Sequence, residues 1–192
     1  MEEKKPQRLN IGCGKDIKPR SEGWINLDCI PLPGVDVVWD IKKTPWPFKD
    51  NQFDFIYCSH ILEHIPHYIG RDEDGLIIVM KEIYRVLKPG GKIEIKVPYY
   101  KDENAVKDPT HCRLFDIETF DYFTTSHWGN YYSGLNFKIV LKEFSKFRVK
   151  YKFLKIGKSR LGLFEHLWTR FPRLRPWIPK VPEEIHVVLM KQ

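Results

Sequence analysis

Arg8-Leu9-Asn10-Ile11-Gly12-Cys13-Gly14 is the stretch that decides the fold. A short apolar run ends in two glycines one residue apart. That is the pattern of a strand entering a tight turn where the backbone can come close to a ligand. Trp24-Ile25-Asn26-Leu27-Asp28 is a second short strand pattern ending in an acid, and Val35-Asp36-Val37-Val38-Trp39 is a third, followed by Asp40. A strand, a glycine turn and a second strand with a carboxylate at its end make a nucleoside pocket in an α/β sheet, the acid accepting both ribose hydroxyls. A dinucleotide fingerprint needs a third glycine and an acid about 20 residues on. Here the third glycine is missing and the acid comes sooner. Residues 15–23 contain Pro19 and Gly23, so the first crossover has little room for a helix. A pyrophosphate then loses the helix N-terminus that normally receives it. The pattern favours a nucleoside ligand without phosphates over NAD.

Working outward, seven stretches read as strands: roughly 8–11, 25–28, 35–39, 53–58, 92–97, 144–154 and 184–190. The early ones lack clean alternation, as expected of strands buried on both faces. Leu76, Val79, Met80, Ile83, Val86 and Leu87 recur at helical spacing, which predicts a helix over 76–87 stopped by Lys88-Pro89-Gly90-Gly91. Residues 116–123 read as a second helix capped by Asp116, with Glu118 and Asp121 in its first turns. Alternating strands and helices predict an α/β, Rossmann-like fold. Its seven-stranded sheet is mostly parallel, with a shortened first crossover helix and an antiparallel last strand near Ile185 and Leu189. In such sheets ligands sit at the carboxyl ends of the strands, where Gly12, Asp28, Asp40, Ser59 and Pro98 all fall.

The 192 residues predict one domain, and an apolar fraction of 42% is enough for a sizeable core. No run of about 18 apolar residues is present, so no transmembrane helix is expected. The N-terminus lacks an apolar signal-peptide core, which makes a cytoplasmic location the expectation. Cys13, Cys29, Cys58 and Cys112 form no Cys-x-x-Cys pair and read as buried thiols. The net charge of +7 is unevenly spread: residues 1–141 carry a net −2 and residues 142–192 a net +9. The basic end is either a solvated face or a surface for an anionic partner.

Several stretches taken in order carry a resemblance. They are Leu9-Asn10-Ile11-Gly12-Cys13-Gly14, Asn26-Leu27-Asp28, Trp39-Asp40-Ile41, Pro45-Trp46-Pro47-Phe48, the run from Phe53-Asp54-Phe55 through Cys58-Ser59-His60-Ile61-Leu62-Glu63-His64, and Glu82-Ile83-Tyr84-Arg85-Val86-Leu87-Lys88-Pro89-Gly90-Gly91. Together they resemble a class I S-adenosylmethionine-dependent methyltransferase of the small-molecule branch labelled type 11. The likeness covers roughly residues 8–98. A weaker one lies at Asp108-Pro109-Thr110-His111-x-Arg113-x-Phe115. The resemblance implies a cofactor half over about 8–98 and a substrate and cap half over about 99–192. It implies that Gly12, Cys13 and Gly14 approach the methionine part of the cofactor, that Asp28 binds the ribose hydroxyls, and that Asp40 and Ile41 border the adenine. Ser59 and His60 would close the pocket. Many members carry an acid where Asn10 stands, so Asn10 is a changed position beside the methionine ammonium.

For the acceptor, His111 is the candidate general base, with Asp108 three residues earlier to orient its ring. A structural pin is the competing reading of His111. Tyr99, Tyr100 and Arg113 follow the fifth strand and are candidate substrate contacts, with core aromatics as the alternative for the tyrosines. The chemistry expected is in-line methyl transfer to a small-molecule or sugar-like acceptor, with no metal. Three rivals remain. The basic end could serve an RNA methyltransferase. His60-x-x-Glu63-His64 matches an inverted zinc-peptidase motif. The pocket could also belong to a nucleoside-binding protein without catalysis. Residues 161–179, with aromatics among arginines, read as an active-site cap or packed crossover, or else as a surface for RNA or acidic lipid.

Overall fold

The computed structural model describes residues 6–70, 73–125, 131–149 and 180–192. Strands β1 (Arg8–Ile11), β2 (Trp24–Asp28), β3 (Val37–Val38), β4 (Phe53–Ser59), β5 (Leu87–Pro98), β6 (Phe137–Val149) and β7 (Lys180–Lys191) form one seven-stranded sheet in the order 3-2-1-4-5-7-6. All pairs are parallel except those of β7, which runs antiparallel to both β5 and β6. The expected mostly parallel sheet with an antiparallel last strand is what the chain builds.

Helix α1 (Gly75–Val86) is capped by Asp74, whose carboxylate accepts from the Leu76 amide. Its apolar stripe, Leu76, Val79, Met80, Ile83 and Val86, packs on a core with Leu9, Ile11, Ile56, Ile93 and Ile95 of the sheet. Burying each such side chain contributes about 1.5–3 kcal/mol. The helix passes straight into β5: Leu87 already pairs with Phe53, so the expected glycine stop lies inside the strand. Glu82 and Arg85 on α1 clasp the Pro45–Phe48 turn. Glu82 Oε2 accepts from the Trp46 amide at 2.7 Å, and Arg85 donates to Glu82, to the Phe48 carbonyl and to Asp50.

The first crossover contains only a 3-10 turn, Arg20–Glu22, closed by Gly23 in the left-handed region at φ 82°. In place of a helix, two buried asparagines on paired strands hold the loop. Asn10 Nδ2 donates to the Asp16 carbonyl at 2.7 Å and to Asn26 Oδ1 at 3.1 Å. Asn26 in turn exchanges bonds with the Lys18 amide and carbonyl and donates to Asp36. Arg20 pairs with the same Asp36.

Several expectations need correction. Residues 116–123 are not an α-helix: Asp116 caps the turn as expected, accepting from the Glu118 amide, but i→i+3 bonds make Thr119–Phe123 a 3-10 helix. The third strand keeps only Val37–Val38, whereas β6 begins well before residue 144. Of the four cysteines, Cys13 and Cys58 are buried but Cys29 and Cys112 are exposed. The early strands are also less enclosed than expected. By register, Arg8, Trp24, Phe55, Tyr57, Glu94, Lys96 and His186 share the sheet face opposite α1. There Arg8 lies over Trp24, Lys18 and Lys96 lie over Tyr57, and Glu94 pairs with His186. No helix among the described residues is long and apolar enough to cross a membrane. The segment 161–179 and positions 150–154 of the expected sixth strand lie outside the described residues.

Candidate active site

The candidate donor side of the site is built where β1 and β2 end. Gly12 turns the chain at φ 62°, and a Cβ there would stand 2.0 Å from Ile61 Cδ1, so this glycine admits the Ile61 side chain. Gly14, at φ 50°, faces open space. The Asp28 carboxylate latches the turn: Oδ2 accepts from the Gly14 amide at 2.8 Å and Oδ1 from the Ile30 amide at 3.0 Å. Only 8% of Asp28 is exposed, yet with the two amides and the Cys29 thiol engaged its carboxylate keeps acceptor capacity. Cys13 donates its amide to the Leu27 carbonyl, and its thiol is pushed up to about 11 by burial first and by Asp28 second. A thiol so raised is a poor nucleophile. Asp40 accepts from the Lys42 amide, while the neighbouring Ile41 is buried and its carbonyl accepts from the Trp46 indole. Asn10 has its amide nitrogen committed to the loop described above.

Across the carboxyl edge lies a cavity of about 280 Å³, lined among others by His60, Pro98, Asp108, His111, Lys146 and Glu184. Ser59 ends β4, and His60 follows with a left-handed φ of 55°. That turn aims the His60 ring between two acids: Nε2 is 2.8 Å from Glu184 Oε2 and Nδ1 is 3.3 Å from Glu63 Oε1. The Glu63 contact above all, with that to Glu184, raises the His60 pKa against the lowering effect of burial. Burial pushes the Glu184 carboxyl up, but bonds from Lys146, Ser145 and His60 outweigh it and hold the group at about 2.

His111 gives Nδ1 to the Ala105 carbonyl at 3.1 Å, and its Nε2 lies 3.8 Å from Asp108 Oδ2. The Asp108 pKa is lowered, chiefly by the bond from the Thr110 hydroxyl. The structure thus brings His60, Asp108 and His111 to one cavity. It sends Arg113 elsewhere: Nε donates to the Ile65 carbonyl, and Nη2 donates to Pro66 and to Asp74, the cap of α1. Tyr99 is buried edge-on between Tyr100 and Phe144, and Tyr100 is 38% exposed. The zinc-peptidase geometry is not built. Leu62–His64 is a 3-10 turn, and the His60 ring goes to Glu184 while that of His64 meets His111 with centroids 4.8 Å apart.

Sequence reasoning missed Glu184, Ser145 and Lys146. A signal was present: because the last strand is antiparallel, its first residues must lie at the carboxyl edge of the parallel strands, and an acid stands there.

The strand order, the glycine turn and the latched acid define a Rossmann-like fold of the S-adenosylmethionine-dependent methyltransferase class. Solved structures agree. A SAM-dependent methyltransferase from Archaeoglobus fulgidus superimposes with a TM-score of 0.61 at 20% identity, covering 97% of this chain and 86% of that one. One from Mesorhizobium loti gives 0.51 at 14% identity, covering 97% and 91%. A family model described as a methyltransferase domain matches residues 3–142, and the chain belongs to that family. Among curated relatives, sterol 4-C-methyltransferase strm-1 of Caenorhabditis elegans is 34% identical over 52% of this chain and 23% of its own length. A demethylmenaquinone methyltransferase of a Geobacillus strain is 43% identical over 24% of this chain and 17% of its own length. The chain therefore spans less than a quarter of either relative.

Proposed function

We propose that this protein transfers a methyl group from S-adenosylmethionine to a small-molecule acceptor, within one domain whose donor half is about 8–98 and whose acceptor half is about 99–192. The observation that carries the reading is the Asp28 latch on Gly14 beside open space: a buried carboxylate with acceptor sites to spare, at the end of the second strand of this fold. These residues fit the cofactor. Asp28 would take the ribose hydroxyls, the turn at Gly12, Cys13 and Gly14 the methionine part, and Asp40 and Ile41 the adenine border. Ser59 and His60 would close the pocket.

Bound S-adenosylmethionine supplies an activated methyl on a sulfonium, so alignment of the acceptor is most of the protein's task. The cavity at the carboxyl edge offers the acceptor a place beside the donor residues. With Nδ1–H donated to Ala105, His111 presents a lone pair on Nε2 that can take the acceptor's proton, and Asp108 would stabilise the charged ring. Arg113 is committed to α1 and is better read as a positioning residue. The small-molecule names of the relatives support this acceptor class.

The test has two parts. Calorimetry should show S-adenosylmethionine or its demethylated product binding much more tightly than NAD. A screen of metabolite extracts with labelled donor should find a labelled small product. Tighter NAD binding would overturn the donor assignment. A sub-micromolar, sequence-selective RNA complex at physiological salt would overturn the acceptor class, since non-specific RNA binding falls steeply with salt.

A further inference from the structure

We propose that Glu63, His64 and His111 bind one divalent transition-metal ion of the zinc type. Glu63 is the starting observation. It is 1% exposed, and neither carboxylate oxygen has a hydrogen bond. His60 Nδ1 stands 3.3 Å from Oε1 as an ion-pair partner outside hydrogen-bonding geometry, but Glu184 shares that ring's charge, so Glu63 is compensated only in part. A carboxylate buried in this way is costly unless a cation compensates it, and such orphaned groups in native folds often mark an ion or water. One ligand atom from each of Glu63, His64 and His111 lies within 4.8 Å of the others.

The hydrogen bonds fix both rings in the state a metal requires. His111 donates Nδ1–H to the Ala105 carbonyl. The Thr110 hydroxyl spends its proton on Asp108 at 2.6 Å, so it must accept from His64 Nδ1, 3.0 Å away. Each imidazole is left with its Nε2 lone pair to offer. A metal-binding histidine typically gives its other ring N–H to a carbonyl or carboxylate, as these two do, directly or through Thr110.

The ligands come from two loops, after β4 and after β5, and the backbone clips those loops together. The Cys112 and Arg113 amides both donate to the Glu63 carbonyl, at 2.7 and 3.2 Å. The Arg113 side chain adds bonds to Ile65 and Pro66. Two imidazoles and a carboxylate suit zinc, iron(II) or manganese(II) rather than magnesium or calcium. The donor set differs from the peptidase motif: Glu63 is a ligand and His60 is excluded by Glu184. It also departs from the expectation that this protein holds no metal. Three protein ligands leave a coordination position open toward water or an acceptor oxygen. Ion binding and proton acceptance compete for the same His111 lone pair, so the two roles of that ring are alternatives. The binding itself does not depend on the methyl-transfer reading.

The test uses the full chain stripped by chelator, loaded with Zn²⁺ and dialysed, with elemental analysis and Zn²⁺ calorimetry as readouts. About one zinc per chain is expected. Glu63→Gln and His64→Phe should each lower the affinity at least tenfold while retaining cooperative thermal unfolding, and the exposed His67→Gln should keep one equivalent. Should both ligand variants fail to fold, Thr110→Val, which removes the hydroxyl that joins His64 to Asp108, should weaken Zn²⁺ binding about tenfold. Less than about 0.2 equivalents in the wild type would overturn the proposal. So would unchanged affinity in the folded ligand variants or, where neither folds, in Thr110→Val. Methyl-transfer failure with one zinc bound would leave this site standing and remove only the proposed function.

Discussion

Removing the Asp28 carboxylate tests the donor pocket most directly. In the free protein its two oxygens hold the Gly14 and Ile30 amides at 2.8 and 3.0 Å. With the donor bound, the same oxygens would also accept from the two ribose hydroxyls. Hydrogen bonds to a charged acceptor, net of water, make the loss of that pair in Asp28→Ala about 1.5–3 kcal/mol in all. That is a rise in Kd of about 10- to 150-fold. The variant also releases two backbone amides near the surface, at about 1 kcal/mol each, so the melting temperature should fall by roughly 4–8 °C. The two effects separate in a calorimetric comparison of S-adenosylhomocysteine with its 2′-deoxy analogue. The wild type should favour the ribose form by about tenfold, and the variant should bind the two within about twofold. If Asp28→Ala keeps the wild-type Kd, or still discriminates between the two ligands, the ribose lies elsewhere and the donor pocket has been misread.

Other outcomes follow from the same contacts. His111→Ala should lower turnover at least about tenfold while leaving the donor Kd within a few-fold if the ring is the proposed base; retained turnover with a lower melting temperature would make it a structural pin. Arg85→Met leaves the largely buried Glu82 without its cation and should cost about 2 kcal/mol, read as a drop of roughly 4–8 °C in thermal unfolding. The Glu184 carboxyl, ordinarily near 4.5 and held at about 2 in the fold, contributes stability that is complete above pH 4.5 and drains away as pH falls toward 2. Urea unfolding between those pH values should therefore show a shallower decline in Glu184→Gln than in the wild type, and equal slopes would refute the assignment.

The sheet was readable in the sequence because its determinants are local. Each early strand is a short apolar run closed by a glycine or an acid, and α1 shows its face in the spacing of Leu76, Val79 and Ile83. The short first crossover was readable from Pro19 and Gly23. The acceptor side was less legible, since its contacts join distant positions. His60 meets Glu184 across 124 residues, and no local pattern announces that pairing. Arg113 looked like a substrate contact because it stands near His111 in sequence, but adjacent side chains in an irregular segment diverge, and this one reaches back to the cap of α1. Residues 116–123 show the limit of a local signal: Asp116 caps the turn as its position suggests, yet the turn closes with i→i+3 bonds.

The paired asparagines of β1 and β2 have a consequence for how the chain finds its fold. Parallel strands of four and five residues have few backbone bonds to stop a slip. Asn10 and Asn26 forbid it, because only one alignment lets the two amides meet while both reach the loop. A slip would strand two amides among hydrocarbon, a penalty of about 1–3 kcal/mol for each. It would also carry Asp28 about 3.3 Å or more from the Gly14 amide. A pair of residues whose amides serve the loop therefore sets whether the carboxylate and the glycine turn arrive opposite one another. A slipped chain would be less stable and would also have no pocket to offer.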